Sequence, residues 1–204
     1  MLLLSKRLID IVGSTLLLVL SSPLLAFIAW RIAHDSSGPM LFSQTRVGAG
    51  ERQFRIYKFR TMTADAESRL DDVKHLNIHA AAFGDNRLFK GVGDPRITPF
   101  GARLRRYSLD ELPQLLNVLK GEMSLVGPRP LELDEDRHVV GDGRRRLEMR
   151  PGITGLWQVL GRNALSFDDM LRLDLEYVSR WRFRDDLRIL LRTLPAMVER
   201  QEAP

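Results

Sequence analysis

Apolar positions run almost without interruption from residue 11 to residue 30, and no charged side chain falls in that stretch. A helix crossing the roughly 30 Å hydrocarbon core needs about 20 such residues, so the length just permits spanning. Pro23 sits near the middle, where it removes a backbone donor and crowds the carbonyl four residues earlier; Ser22 beside it could satisfy the freed group. Lys6 and Arg7 precede the segment and Arg31 follows it, so basic residues do not mark one flank as cytoplasmic. Two topologies stay open on these residues. One is a spanning helix; the other enters the bilayer, turns at Ser22-Pro23 and leaves on the same side. A cleaved signal peptide fits poorly, because the apolar run continues past Pro23 to Phe27 and Trp30 without a small-residue cleavage pattern.

After Ser36-Ser37-Gly38-Pro39 the pattern changes, dividing the chain into a membrane-anchoring segment, 1–35, and a second part, 36–204. Residues 41–47 and 53–59 flank Gly48-Ala-Gly50 and predict a β-hairpin with Phe54, Ile56 and Lys58 on one face. Residues 64–76 predict a short amphipathic helix, whereas 77–93 show no period and predict a surface loop. A basic helix is expected over 98–106 and an apolar one over 112–119, stopped at Lys120-Gly121. The charged stretch 131–150 predicts a solvent-facing helix interrupted by Gly141-Asp-Gly143. Over 171–177 apolar and polar residues alternate, so helix and strand compete, with helix preferred. Leu187, Leu190, Leu191, Leu194, Met197 and Val198 recur at helical spacing between arginines, which suits a helix on a membrane surface or one packed on the core. The expected class is α+β, mainly helical with one small hairpin.

Length and charge narrow the chemistry. The 204 residues suffice for one globular core beside the N-terminal segment. A formal charge of +5 favours anionic partners such as nucleic acid, phosphorylated substrates or acidic head groups. Cysteine is absent, so there is no disulfide frame and a reducing compartment fits.

The densest chemistry lies in 103–130, where Asp110 and Glu111 fall between Arg103, Arg105 and Arg106 upstream and Arg129 downstream. Ser108 to Glu111 matches the S-x-x-E capping box. Pro113 argues against a helix starting at Leu109, since it could not donate to that carbonyl, and a start at Pro113 is cheaper. The carboxylates would then precede a helix N-terminus, which attracts phosphate. Carboxylates beside a phosphate repel it unless cations intervene, so the pattern points to phosphoryl transfer. A carboxylate attacking phosphorus would form an acyl phosphate, with charge neutralised by arginine and a divalent metal; Mg2+ suits one or two carboxylates plus substrate phosphates.

Asp94-Pro-Arg-Ile-Thr-Pro-Phe-Gly101, Ser108-Leu-Asp-Glu-Leu-Pro-Gln114, Val126-Gly-Pro-Arg-Pro130 and Arg150-Pro-Gly-Ile-Thr-Gly155, with Lys58-Phe-Arg-Thr-Met62 and Ser22-Pro23, together resemble the bacterial sugar transferase family over nearly the whole chain. Its members are monotopic phosphoglycosyl transferases, which move a sugar-1-phosphate from a nucleotide diphosphate sugar to polyprenyl phosphate. The resemblance implies that Asp110 is the nucleophile, forming a phosphosugar intermediate and touching Mg2+, and that Glu111 completes the dyad. It also implies that Arg105 and Arg129 hold donor phosphates, and places Lys58 and Arg150 in motifs that bind substrate. Ser22 and Pro23 become the break of a re-entrant helix, with the catalytic part on the cytosolic face of the bacterial inner membrane. The implied partners are a UDP-sugar, polyprenyl phosphate and membrane lipid, with no nucleic acid. The length resembles the small catalytic-domain form, and residues 77–93, which match the family least, are where sugar specificity is expected.

Two rival readings remain from the residues. A membrane-tethered polyanion-binding module would use the arginines alone, but gains nothing from carboxylates at its centre. An enzyme of the same reaction class could transfer directly, without a covalent step, and ping-pong kinetics separates the two. His34, His75, His79 and His138 are too scattered for a convincing metal site, and Trp157 and Trp181 read as buried or interfacial aromatics.

Overall fold

The computed structural model describes residues 2–35, 37–89, 91–161 and 165–199. Helix α1 (Leu2–Asp35) is followed by an antiparallel hairpin, β1 (Leu41–Val47) and β2 (Gln53–Phe59), paired Leu41 to Phe59 through Val47 to Gln53. The hairpin has the expected bounds; Phe54 and Ile56 are buried on one face, and Phe59, on the other, is buried in a separate cluster. Then come α2 (Leu70–Val73), α3 (Ile78–Phe83), α4 (Pro99–Arg106), a 3-10 turn at Leu109–Glu111 and α5 (Gln114–Lys120). The remainder is β3 (Ser124–Val126), α6 (Leu133–Asp136), a 3-10 stretch at Gly141–Glu148, β4 (Gly152–Thr154), α7 (Leu156–Leu160), α8 (Phe167–Arg180) and α9 (Phe183–Glu199).

Helix α1 is one uninterrupted element of 34 residues, about 50 Å long at 1.5 Å per residue. Helical hydrogen bonding continues through Pro23, which lies inside α1. The reason is local: the Ser22 hydroxyl donates at 2.8 Å to the carbonyl of Val19, the acceptor that Pro23 cannot serve.

One face of α1 packs on the rest of the chain along its whole length. Lys6 Nζ donates to Asp186 at 2.6 Å and to the Val126 carbonyl at 2.9 Å, while Asp10 Oδ1 accepts from Ser124 Oγ and the Leu125 amide, each at 2.9 Å. At the other end, Ile28 and Ile32 are buried with Phe59 and Leu104. The opposite face leaves Leu16, Val19, Leu20, Phe27 and Trp30 exposed, and by length and apolarity α1 could cross a membrane.

Elsewhere tertiary contacts reshape the expected elements. The predicted helix over 64–76 shrinks to α2 and a following 3-10 turn at Lys74–Leu76. The predicted loop over 77–93 contains α3, capped by the Asn77 side chain, which accepts from the His79 amide, and stopped at Gly84 with φ +63°. The charged stretch 131–150 is not a solvent-facing helix. Glu135, Asp136 and Arg146 are buried, and Arg146 pairs with Asp174 of α8 at 2.8 Å. Residues 171–177 lie within α8, whose start is closed by a Ser166–Asp169 capping box.

Candidate active site

Four of the sequence motifs dock pairwise, and the docking builds the site. Residues after β2 run beside those before α4: Met62 bridges Ile97, the Thr63 amide donates to the Arg96 carbonyl at 2.9 Å, and the Thr98 amide donates to Thr61 at 3.0 Å. The Thr98 hydroxyl caps α4 by accepting from the Gly101 amide. A Cβ on Gly101 would overlap the backbone of Thr61, so only glycine permits this approach. The second pair is held by the parallel strands β3 and β4, a contact absent from the expected elements. Gly127 and Gly152 lie backbone to backbone there, and a Cβ on either would overlap the other motif.

The carboxylates sit on a turn that follows α4 and packs against β2. Ser108 leaves α4 with φ +52° and ψ 23°, a left-handed turn that reverses the chain. Its hydroxyl does not cap the 3-10 turn, and Pro113 stands at the head of α5, in line with the argument against a helix starting at Leu109; the Ser108 carbonyl accepts from the Glu111 amide at 3.2 Å. Asp110 is buried at the middle of this turn. Glu111 turns to β2, where Lys58 Nζ donates to its Oε1 at 3.0 Å. The amides of Glu111, Leu112, Leu115 and Leu116 each bond a carbonyl three residues back. A phosphate here would therefore rely on side-chain cations more than on a helix N-terminus.

The cations arrive from several elements. Arg105, in the last turn of α4, is half-buried and donates from Nε to Thr61 Oγ1 at 2.8 Å. Arg129, between β3 and α6, lays its guanidinium over the Trp157 ring at 5.1 Å, and its carbonyl accepts from Arg146. Its Nε is buried without a hydrogen-bond partner. Arg150 is exposed, and its carbonyl lies against Gly127, so backbone contact brings it to the turn that carries Arg129.

Sequence reasoning missed Arg46. This β1 residue is buried and bonds Glu132 at 2.8 Å, Glu135 at 3.5 Å and the Pro130 carbonyl at 3.2 Å. Burial holds its guanidinium below the ordinary arginine value against the opposing pull of Glu132; Arg129 lowers it further, while Glu135 and Glu111 oppose. Arg46, Arg129 and Glu111 thus share one electrostatic neighbourhood. The only signal in the sequence was an arginine inside a hairpin strand, which alternation alone leaves on the solvent side.

Among the described residues no group of three or more His, Cys, Asp and Glu side chains could hold a metal ion. Two adjacent carboxylates, Asp110 and Glu111, with hard oxygen donors, still suit Mg2+, which keeps water and takes substrate phosphate as its other ligands.

The model of the bacterial sugar transferase family matches residues 1–200. The chain belongs to the bacterial sugar transferase family. It is 44% identical over 197 residues to the galactosyl transferase CpsE of Streptococcus agalactiae, covering 96% of this chain and 42% of that protein. It is 41% identical to the undecaprenyl-phosphate galactose phosphotransferase of Salmonella typhimurium, covering 97% of this chain and 41% of the relative. The UDP-glucose:undecaprenyl-phosphate glucose-1-phosphate transferase of Caulobacter vibrioides is 39% identical over 208 residues, with 98% of this chain and 72% of that protein covered. This sugar transferase thus spans about two fifths of the length of the first two relatives.

Proposed function

We propose that this bacterial sugar transferase moves a sugar-1-phosphate from a UDP-sugar to polyprenyl phosphate, specifically undecaprenyl phosphate, through a covalent intermediate on Asp110. The relatives' names supply the donor and acceptor classes. The observation that carries the reading is the buried Asp110 beside Glu111, the latter fixed by Lys58, in a site where Arg105 and Arg129 come from separate motifs. A polyanion-binding surface would not bury a carboxylate among its cations.

In the first half-reaction a carboxylate oxygen of Asp110 bonds the sugar-bearing phosphorus and the bond to the bridging oxygen breaks, releasing UMP. In the second, a phosphate oxygen of polyprenyl phosphate attacks the same phosphorus. Asp110 departs as a free carboxylate, and the product is a polyprenyl diphosphate sugar. Arg105 and Arg129 offset the negative charge that gathers on the phosphates, and Lys58 holds Glu111 in place. Mg2+, held by Asp110 with Glu111 at hand, would neutralise the donor diphosphate and ease departure of UMP.

The site also fits a lipid acceptor. Leu109, next to Asp110, packs on the cluster formed by Ile28 and Ile32 of α1 with Phe59 and Leu104, so the turn that carries the proposed nucleophile is anchored on the apolar helix through its neighbour. Because both ends of α1 pack on the same body, the helix is read as re-entrant, with the catalytic part on the cytosolic face of the inner membrane, where nucleotide sugars are made.

Purified protein incubated with UDP-sugars and Mg2+ should gain the mass of one phosphosugar, and lose it when polyprenyl phosphate is added. Asp110→Asn should abolish both adduct and turnover while the protein stays folded. Full activity in that variant would remove Asp110 as nucleophile, and UMP release only in the presence of acceptor would favour direct transfer.

A further inference from the structure

A second basic cavity lies outside the catalytic site, between α7, the end of α8 and the start of α9. It has a volume of about 990 Å³ and is lined by Arg180, Arg182, Arg184, Arg188 and Arg192. Glu176 and Asp185 are the carboxylates in the same lining, and Asp185 is committed to Arg188 at 3.3 Å. Among the described residues, Arg180, Arg182, Arg184 and Arg192 make no ion pair with an acidic side chain. None of Lys58, Arg105, Asp110, Glu111, Arg129 or Arg150 lines the cavity, so the donor sugar does not account for its charge.

Exposed arginines alone are ordinary; their position on α9 is what matters here. Phe183, Leu187, Leu191 and Leu194 form an exposed apolar stripe on this helix. Arg184, Arg188 and Arg192, four residues apart, form the adjacent stripe and face the cavity. The apolar stripe continues onto α1, because Phe183, Leu187 and Leu190 line an apolar cleft together with Ile9. If α1 lies in the bilayer, α9 lies with its leucines at acyl-chain depth and its arginines at phosphate depth. Guanidinium groups bind phosphate through paired N–H donors and tolerate partial desolvation better than ammonium.

We infer that this cavity holds the phosphate of an anionic membrane phospholipid. The inference rests on the membrane reading of α1. It gives α9 a function separate from catalysis: docking the C-terminal helices onto anionic lipid so that the body stays seated on the membrane surface.

The test uses the full chain and two triple variants, Arg184→Gln/Arg188→Gln/Arg192→Gln in the cavity and Arg137→Gln/Arg145→Gln/Arg172→Gln elsewhere, which remove equal charge. Each protein is reconstituted in phosphatidylcholine bilayers with and without phosphatidylglycerol, and retained lipids are counted by native mass spectrometry. Wild type and the control triple should retain phosphatidylglycerol in preference to phosphatidylcholine. The cavity triple should weaken that preference by roughly fivefold per arginine, on the order of a hundredfold in all. Equal losses in the two triples would show diffuse charge attraction and overturn the site. Inorganic phosphate binding wild type in detergent as tightly as phosphatidylglycerol does would make it a free-phosphate site and overturn the lipid assignment. Co-flotation with phosphatidylcholine vesicles separates the two readings. Protein that floats without preferring phosphatidylglycerol refutes this inference alone, whereas protein that floats with neither vesicle refutes the membrane reading as well.

Discussion

Lys58 donates to Glu111 across 3.0 Å, tying strand β2 to the 3-10 turn that carries Asp110. The two side chains are 25% and 31% exposed, so the pair contributes at most about 1 kcal/mol to stability. Its consequence is positional. Lys58→Met should lower kcat by about tenfold or more, the range of a lost charged positioning contact, while the melting temperature moves by less than about 4 °C. Steady-state kinetics beside a thermal melt checks this, and an unchanged kcat would detach Lys58 from the site.

Ser108 precedes the dyad in a left-handed conformation, φ +52°, that costs an L-residue about 1–2 kcal/mol. Glycine adopts it freely but adds unfolded-state entropy, so Ser108→Gly should keep stability within about 1 kcal/mol of wild type and preserve turnover. Ser108→Val, β-branched at a positive φ, should lose about 2 kcal/mol and misplace Asp110. Urea unfolding of both variants decides; equal stabilities would mean that the turn does not constrain the dyad.

Asp94 and Arg96, both buried, form a bidentate pair at 2.7–3.2 Å that anchors the segment before α4. Hydrogen bonds from Arg96 hold the Asp94 carboxyl below the usual carboxylate range. The folded value lies below the unfolded one, so this stabilisation is complete above about pH 4 and is lost as the pH falls through the folded value. Asp94→Asn leaves Arg96 buried without its anion and should cost about 3 kcal/mol at neutral pH. It should also flatten the fall in stability on acidification. An unaltered acid limb by urea titration would show that this pair is not its source.

Both ends of α1 pack on one body, through Lys6 with Asp186 and through Ile32 with Phe59. The chain contains no cysteine, so single cysteines can be introduced cleanly. Placed at Ser5 and Ser37, they should both react with an impermeant thiol reagent only from the cytosolic side of inverted and right-side-out vesicles. Labelling from opposite sides would make α1 a spanning helix.

The hairpin, the basic helix α4, the glycine stop after α5 and the amphipathic α9 are all legible in the sequence, because each rests on local periodicity or a local cap. So are the candidate dyad and its arginines, because their motifs are contiguous. Residues 131–150 read as solvent-facing because charge marks exposure only until partners are known; Arg146 is buried because Asp174, 28 residues later, meets it. The helix start at Pro113 was legible from the missing proline donor, but the 3-10 turn before it, with Ser108 at a positive φ and Glu111 held by Lys58, was not. Alternation and capping residues by themselves determined which segments form and where they stop. The β3–β4 pairing, the burial of Arg46, the stacking of Arg129 on Trp157 and the packing of Leu109 on the cluster that includes Ile28 and Ile32 of α1 were decided only in three dimensions. Each of these depends on groups distant in sequence, whose mutual attraction and steric fit leave no periodic trace along the chain.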